Sequence, residues 1–246
     1  MRNAMTLVMM VPLVSCTTGE VATTNEAGSE ISSYEVARTM AADLASPDRG
    51  GATGAFFDGA MLAHGGTPVG FFVAEDGITR GRHDGTDYLY RVYCRDAYGT
   101  TMDTCGRKGV SATVIATWEE TRGMSAFAST TRHDVMWTLD GLDEEFAAIR
   151  GVGTVSGSVT FTRGGSAMRY SLAQVDTYNL RLDMGSYGVV GGTFDTDLTA
   201  KPAGDVAAND IHGLVMFERA SAPMLIVDGE TFPLDLTTGD VQVILY

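Results

Sequence analysis

The chain has 246 residues, a formal net charge of −14 and 44% hydrophobic side chains. A balance this acidic excludes the basic footprint that nucleic acid requires, and it argues against docking on anionic lipid through the protein surface. Thirty glycines against six prolines fit many tight turns between strands, in a chain sized for one large domain or two small ones.

Residues 1–15 read as a targeting segment. Arg2 and the free amine give a positive start, and Ala4 to Val14 is an almost unbroken apolar run. The run is shorter than the roughly 20 residues of a membrane-spanning helix and has the length of a signal-peptide core. It ends in Leu13-Val14-Ser15-Cys16, which resembles the lipobox of bacterial lipoproteins. The resemblance implies that the Cys16 thiol is diacylated, that the chain is cut just before it, and that the new amine is usually acylated too. It also implies a membrane partner through the N-terminal lipid and a place in the cell envelope. Thr17 stands where an Asp would retain many such proteins in the inner membrane, so the outer membrane is expected. Residues 16–31 are polar and acidic, with too little apolar surface to offset the entropy of ordering, and read as a flexible tether. Two or more acyl chains then anchor the protein without a transmembrane helix.

Residues 32–246 are expected to form a single β-rich domain. Ser32-Ser33-Tyr34-Glu35 has the spacing of a capping box. Apolar residues then recur at helical intervals and predict one N-terminal amphipathic helix over 33–46. Residues 48–66 are glycine-rich and predict no more than a short strand at 55–58. From Val69 the period changes to two. Val69 to Ala74 reads as an apolar strand. Tyr88, Tyr90, Val92 and Cys94 share one face of the next, and Val110 to Trp118 alternates most clearly of all. Glu119 to Gly123 reads as a turn, and Val135, Trp137 and Leu139 continue the rhythm. Residues 140–145 form an acidic loop whose spacing does not fit a calcium loop. Further alternation covers residues 154–184, while 214–219 reads as a strand buried on both faces. Asp228-Gly229 is a favoured two-residue hairpin turn. Strands feeding strands predict a mainly β fold, an antiparallel meander closed as a sandwich or barrel. The strands read as short for a membrane-crossing barrel, which needs roughly 9–11 residues each.

Cys94 and Cys105 remain once Cys16 is assigned to lipid. In an oxidising compartment the pair reads as a disulfide closing a turn-rich hairpin loop. No catalytic template is present: there is no Gly-x-Ser-x-Gly, Ser-x-x-Lys or His-Glu-x-x-His. No metal site and no cofactor are expected. Gly151, Gly153 and Gly157 lie inside a strand pattern with no helix after it, and read as bulges or close packing. His64, His83, His133 and His212 are dispersed. His83-Asp84 and His133-Asp134 are adjacent in strands, so each pair points to opposite faces. Tyr88, Tyr90, Tyr93 and Tyr98 cluster around Cys94 and are candidate surface-binding aromatics for sugar or peptide. Trp118 and Trp137 belong to the core.

The expectation is a non-enzymatic, lipid-anchored structural, adhesion or interaction module, with an envelope protein, glycan or lipid as partner. The first alternative is a carrier of an apolar ligand such as lipid, since methionines suit adaptable pockets. The second is a hydrolase whose site forms in the fold alone, with His133 or His212 within reach of an acid and a nucleophile.

Overall fold

The computed structural model describes residues 30–45, 51–106, 108–124, 126–204, 207–218 and 222–241. Helix α1 (Ser33–Leu44) starts on the predicted capping box. The Ser32 hydroxyl accepts from the Glu35 amide, and the Glu35 carboxylate accepts from the Ser32 amide at 3.0 Å, which satisfies orphan donors of the first turn. A second helix, α2 (Gly51–Ala63), stands where a short strand at 55–58 was expected. Its sequence carries no stripe because it is buried on nearly every side, with Ala55, Phe56, Asp58, Gly59, Ala60 and Ala63 all enclosed. It ends at Gly65, whose amide donates to the Leu62 carbonyl while that of Gly66 reaches Met61. Gly65 has φ +83°, the left-handed turn that closes a helix of this type.

Twelve antiparallel strands follow: β1 (Phe72–Val73), β2 (Thr79–His83), β3 (Thr86–Arg95), β4 (Ser111–Met124), β5 (Phe127–Asp140), β6 (Phe146–Arg163), β7 (Ser166–Asp183), β8 (Gly188–Pro202), β9 (Asn209–Phe217), β10 (Met224–Val227), β11 (Glu230–Asp235) and β12 (Asp240–Val241). Each pairs with its chain neighbours, in the order β1 to β12. This is the expected mainly β meander, as one sheet whose ends, β1 and β12, are two residues each and are not joined among the described residues.

The sheet is strongly curved around the helices. β3 and β8 lie five strand spacings apart, roughly 24 Å along a flat sheet, yet both contact α2, whose width is about 10 Å. α1 likewise contacts β10, β11 and β12 on one side, while Arg38 lies over the Phe127 ring of β5 and Glu35 pairs with Arg163 at the end of β6. The concave face is the core. β5 shows the pattern in full, with every residue from Phe127 to Leu139 on one parity buried and every residue between exposed. Phe56 of α2 meets Trp137 and Tyr178 edge-on, both at 5.2 Å.

Other expectations need correction. β4 runs straight through the predicted turn at Glu119–Gly123, and its pairing with β5 continues to Met124 opposite Phe127. The pattern misled because Glu120, on the inward parity, is polar and yet buried. The apolar run at 69–74 gives the two-residue β1, with Val69, Phe72 and Val73 exposed. Residues 214–217 alternate within β9 and are not buried on both faces. β4 to β8 are 14 to 18 residues long, so shortness does not set them apart from a membrane barrel. Their outward face does, because Thr117, Glu119, Arg132, Asp134, Thr154, Ser156 and Asn179 stand where a barrel carries an apolar band. Gly151 is a close approach: a Cβ there would sit 2.3 Å from the Met136 carbonyl oxygen. The pairing of β6 with β5 and β7 shows no bulge at these glycines; the one register shift in that region lies at Arg181/Leu182. The Asp228-Gly229 turn forms as expected, with φ of 50° and 82° at its two residues.

Candidate functional site

Cys16 and the residues around it lie outside the described residues, as does the predicted tether up to residue 29. Ile31, placed in the tether from sequence, is 5% exposed and belongs to the core.

The expected disulfide is present. Cys94 and Cys105 are bonded with their Cα atoms 5.3 Å apart. The enclosed loop is ordered by hydrogen bonds within itself: Asp96 Oδ1 accepts from the amides of Tyr98 and Thr100, both at 2.9 Å, and the Met102 amide reaches the Cys94 carbonyl. The loop is seated on the end of α2. Cys94 Sγ lies 3.5 Å from the Ala63 carbonyl oxygen, and a Cβ on Gly65 would come within 2.8 Å of Gly106 Cα.

The four candidate tyrosines divide by parity. Tyr88 and Tyr90 are 1% and 0% exposed and are corrected to core residues. They face inward because Tyr88 is opposite Trp118 and Tyr90 opposite Ala116, both on the concave face. Each hydroxyl is used inside: that of Tyr88 accepts from the Gly51 amide at the start of α2 at 2.8 Å, and that of Tyr90 donates to Asp58 at 3.2 Å. Tyr93 and Tyr98 are 48% and 93% exposed. Beside Tyr93 runs an exposed apolar row that sequence reading did not single out: Ile115, Met136 and Val152, paired directly across β4, β5 and β6. Outward parity on three neighbouring strands was the signal that could have found it.

The histidines do not converge. His212 Nδ1 contacts Asp197 Oδ1 at 3.0 Å on the outer face, in an open groove of about 310 Å³. His83 Nε2 contacts Asp58 Oδ2 at 2.8 Å. His64 Nδ1 contacts the Tyr187 hydroxyl at 2.9 Å. His133 is 2% exposed, stacked on Trp118 at 4.4 Å, with Thr131 Oγ1 at 3.2 Å and Asp43 Oδ1 at 3.9 Å. This places a histidine near an acid and a hydroxyl, as the hydrolase reading asked. However, burial first and the Arg122 charge second push the imidazole down to about 3, so it is a poor general base at neutral pH.

His133 belongs to a polar cluster inside the sheet that sequence reading missed. Asp43 from the last turn of α1, Glu120 from β4, Thr131 and His133 from β5, Gln174 and Asp176 from β7 and Thr196 from β8 are all buried. Arg122 pairs with Glu120 and donates to the Ala45 carbonyl at 3.2 Å, a favourable place for a cation at the end of α1. Asp176 Oδ1 accepts from Gln174 at 2.7 Å and from Thr196 at 2.8 Å, while Oδ2 accepts from Tyr178 at 3.3 Å. Burial still raises the Asp176 carboxyl to about 6. It raises Asp43 well above the usual range, helped by the charges of Glu120 and Asp176. Among the described residues no group of three or more His, Cys, Asp or Glu side chains is placed to hold a metal ion.

Compared with family models, with curated proteins and with solved structures, the chain matches none of them.

Proposed function

We propose that this chain is a lipid-anchored interaction module of a bacterial cell envelope, held at the outer membrane through Cys16 and acting without catalysis. The lipobox at residues 13–16 and the polar segment after it support the anchor and the tether. The observation that carries the interaction role is the exposed aromatic and apolar surface at the disulfide-closed end of the sheet. Tyr98, 93% exposed, sits on a loop fixed by a covalent bond and by the end of α2. Tyr93 and the row Ile115, Met136, Val152 continue that surface over β3 to β6. Rigid aromatic area binds at low entropic cost, so an envelope protein or a glycan is the partner chemistry that suits it. A carrier of apolar ligand draws less support, because Phe56 and Met40 of the chain's own helices occupy the concave face.

Two measurements test this reading. Cys16→Ser should remove the mass added by acylation and move the protein from the membrane to the soluble fraction; unchanged mass and fractionation overturn the anchor. In crosslinking on intact cells, a Tyr93→Ser, Tyr98→Ser double variant should lose the adducts formed by the parent chain. Adducts unchanged in identity and yield would overturn the assignment of the contact surface.

A further inference from the structure

We propose that the polar cluster inside the sheet is a proton-binding site, in which Asp43 holds a proton at neutral pH and thereby makes the seating of helix α1 tighten as pH falls. The proposal is independent of the lipid anchor and of the partner surface.

The charges inside the sheet do not balance. Asp43 is within electrostatic reach of two other buried carboxylates, Glu120 and Asp176, and the largely enclosed guanidinium of Arg122 is the one permanent cation among the described residues that acts on it. His133 does not supply a second positive charge, since it is enclosed, stacked on Trp118 and repelled by Arg122. The remaining groups facing the cluster make the imbalance worse or leave it unchanged. Tyr88 of β3 and Asp84 of the β2–β3 turn act on Glu120, Tyr178 of β7 on Asp176, and Asp134 on His133 from the outer face. Asp58 of α2 is engaged with His83 and Tyr90. Fully ionised, the three carboxylates would leave two uncompensated negative charges in the interior, which a protein relieves by taking up protons.

Geometry selects the acceptor. Each carboxylate oxygen of Asp176 already accepts a hydrogen bond. Glu120 has one oxygen without a hydrogen-bond partner, Oε2, but its Oε1 is paired with the charge of Arg122. Asp43 Oδ1 receives one long bond from Thr131 at 3.4 Å, and Oδ2 has no hydrogen-bond partner. An acceptor left without a donor in this setting is most cheaply satisfied by carrying the hydrogen itself. Because Asp43 lies in the last turn of α1, its ionisation would place a charge between that helix and the concave face of the sheet.

The direction of the pH effect follows from linkage. A carboxyl whose pKa is raised by folding gives stability that is complete below its unfolded value, about 3.9, and lost as pH rises through its folded value. Asp43, Asp176 and Glu120 all act in this sense, each raised by burial, with Asp176 centred near 6. His133 acts oppositely: its pKa is lowered by folding, so its contribution is complete above the unfolded value of about 6.5 and lost as pH falls. Between about pH 6.5 and 8.5 the Asp43 effect therefore stands clear of Asp176 and His133, and the loss of slope in an Asp43→Asn variant separates it from that of Glu120.

The test is urea and thermal unfolding of the full chain from pH 6.5 to 8.5, for the parent, Asp43→Asn and Asp176→Asn. The parent should lose stability as pH rises, its unfolding constant growing by up to about tenfold per pH unit for one proton held. Asp43→Asn, which mimics the protonated carboxyl, should lose that dependence and be the more stable protein at pH 8.5. Asp176→Asn should keep it. Should the Asn variant fail to fold, calorimetry of the parent in buffers of different ionisation enthalpy gives the count directly, with about one proton released on unfolding at pH 7.5. A melting temperature of the parent that is level or rises over this range, or unfolding without proton release, overturns the site. A variant at Asp43 with the parent's slope overturns the choice of Asp43.

Discussion

Phe56 is the residue on which the internal helix is most directly tested. Its side chain is 1% exposed and meets Trp137 and Tyr178 edge-on, so it ties α2 to two strands at once. Phe→Ala in a core costs about 3–5 kcal/mol, part of it from the cavity left behind. Here the residues one turn away along the helix are Ala52, Thr53, Gly59 and Ala60, which carry too few atoms to move into the space. The loss should therefore fall in the upper half of that range, about 4 kcal/mol, against a total of about 5–15 kcal/mol for a typical domain. The assay is urea unfolding followed by the fluorescence of Trp118 and Trp137, with the slope m unchanged so that the shift reports stability alone. Phe56→Leu should recover more than half of the loss, and Tyr98→Ala, on the surface, should stay within about 0.5 kcal/mol of the parent. A Phe56→Ala protein less than about 1 kcal/mol weaker than the parent would refute the enclosure of α2 by the sheet.

Gly151→Ala should cost about 2 kcal/mol or more, because the new methyl meets the Met136 carbonyl and the Trp137 Cα, backbone atoms that cannot swing aside; Gly123→Ala, on the same sheet with open space around it, is the control in the same melt. Cys105→Ser should cost about 3 kcal/mol by freeing a loop closed over a sequence separation of 11. Reductant should lower the parent's melting temperature to that of the variant and leave the variant's unchanged. Although burial pushes the Glu35 carboxyl up, its hydrogen bonds with Arg163 and Ser32 hold it below the usual range. Its contribution is therefore present above about pH 4.5 and lost as pH falls, so Glu35→Gln should be weaker than the parent by about 1 kcal/mol at pH 7 and should close that gap near pH 3.

What could be read from the sequence is what obeys a local rule. The capping box at Ser32, the alternation from Phe127 to Leu139, the Asp228-Gly229 turn and the disulfide each follow from neighbours in the chain. What escaped depends on partners far away. Gly51 to Ala63 has no apolar stripe because it is wrapped on all sides, so its period is blank; its glycines mark close packing, as at Gly59, where a Cβ would lie 3.0 Å from the Trp137 ring. The interior cluster escaped for a related reason. Glu120, Arg122 and His133 keep the strand period in position but break it in chemistry, so Glu120 and Arg122 read as part of a turn and His133 as a dispersed histidine until Asp43 on α1 is seen beside them. Tyr88 and Tyr90 were on one face in the sequence, but deciding which face is inward needed their register against Trp118 and Ala116.

The strict nearest-neighbour order of the strands has a consequence for how the molecule is made. Nothing in the described sheet requires a late segment to be threaded between two earlier ones. Among the described residues both helices precede every strand, so a chain that emerges from its N-terminus delivers the filling before the wrapping. Each new hairpin can then dock on a surface already present, which keeps loop-closure costs local. β10 to β12, the last to arrive, lie against α1, so a chain cut short after β9 would leave the first-made helix bare on that side.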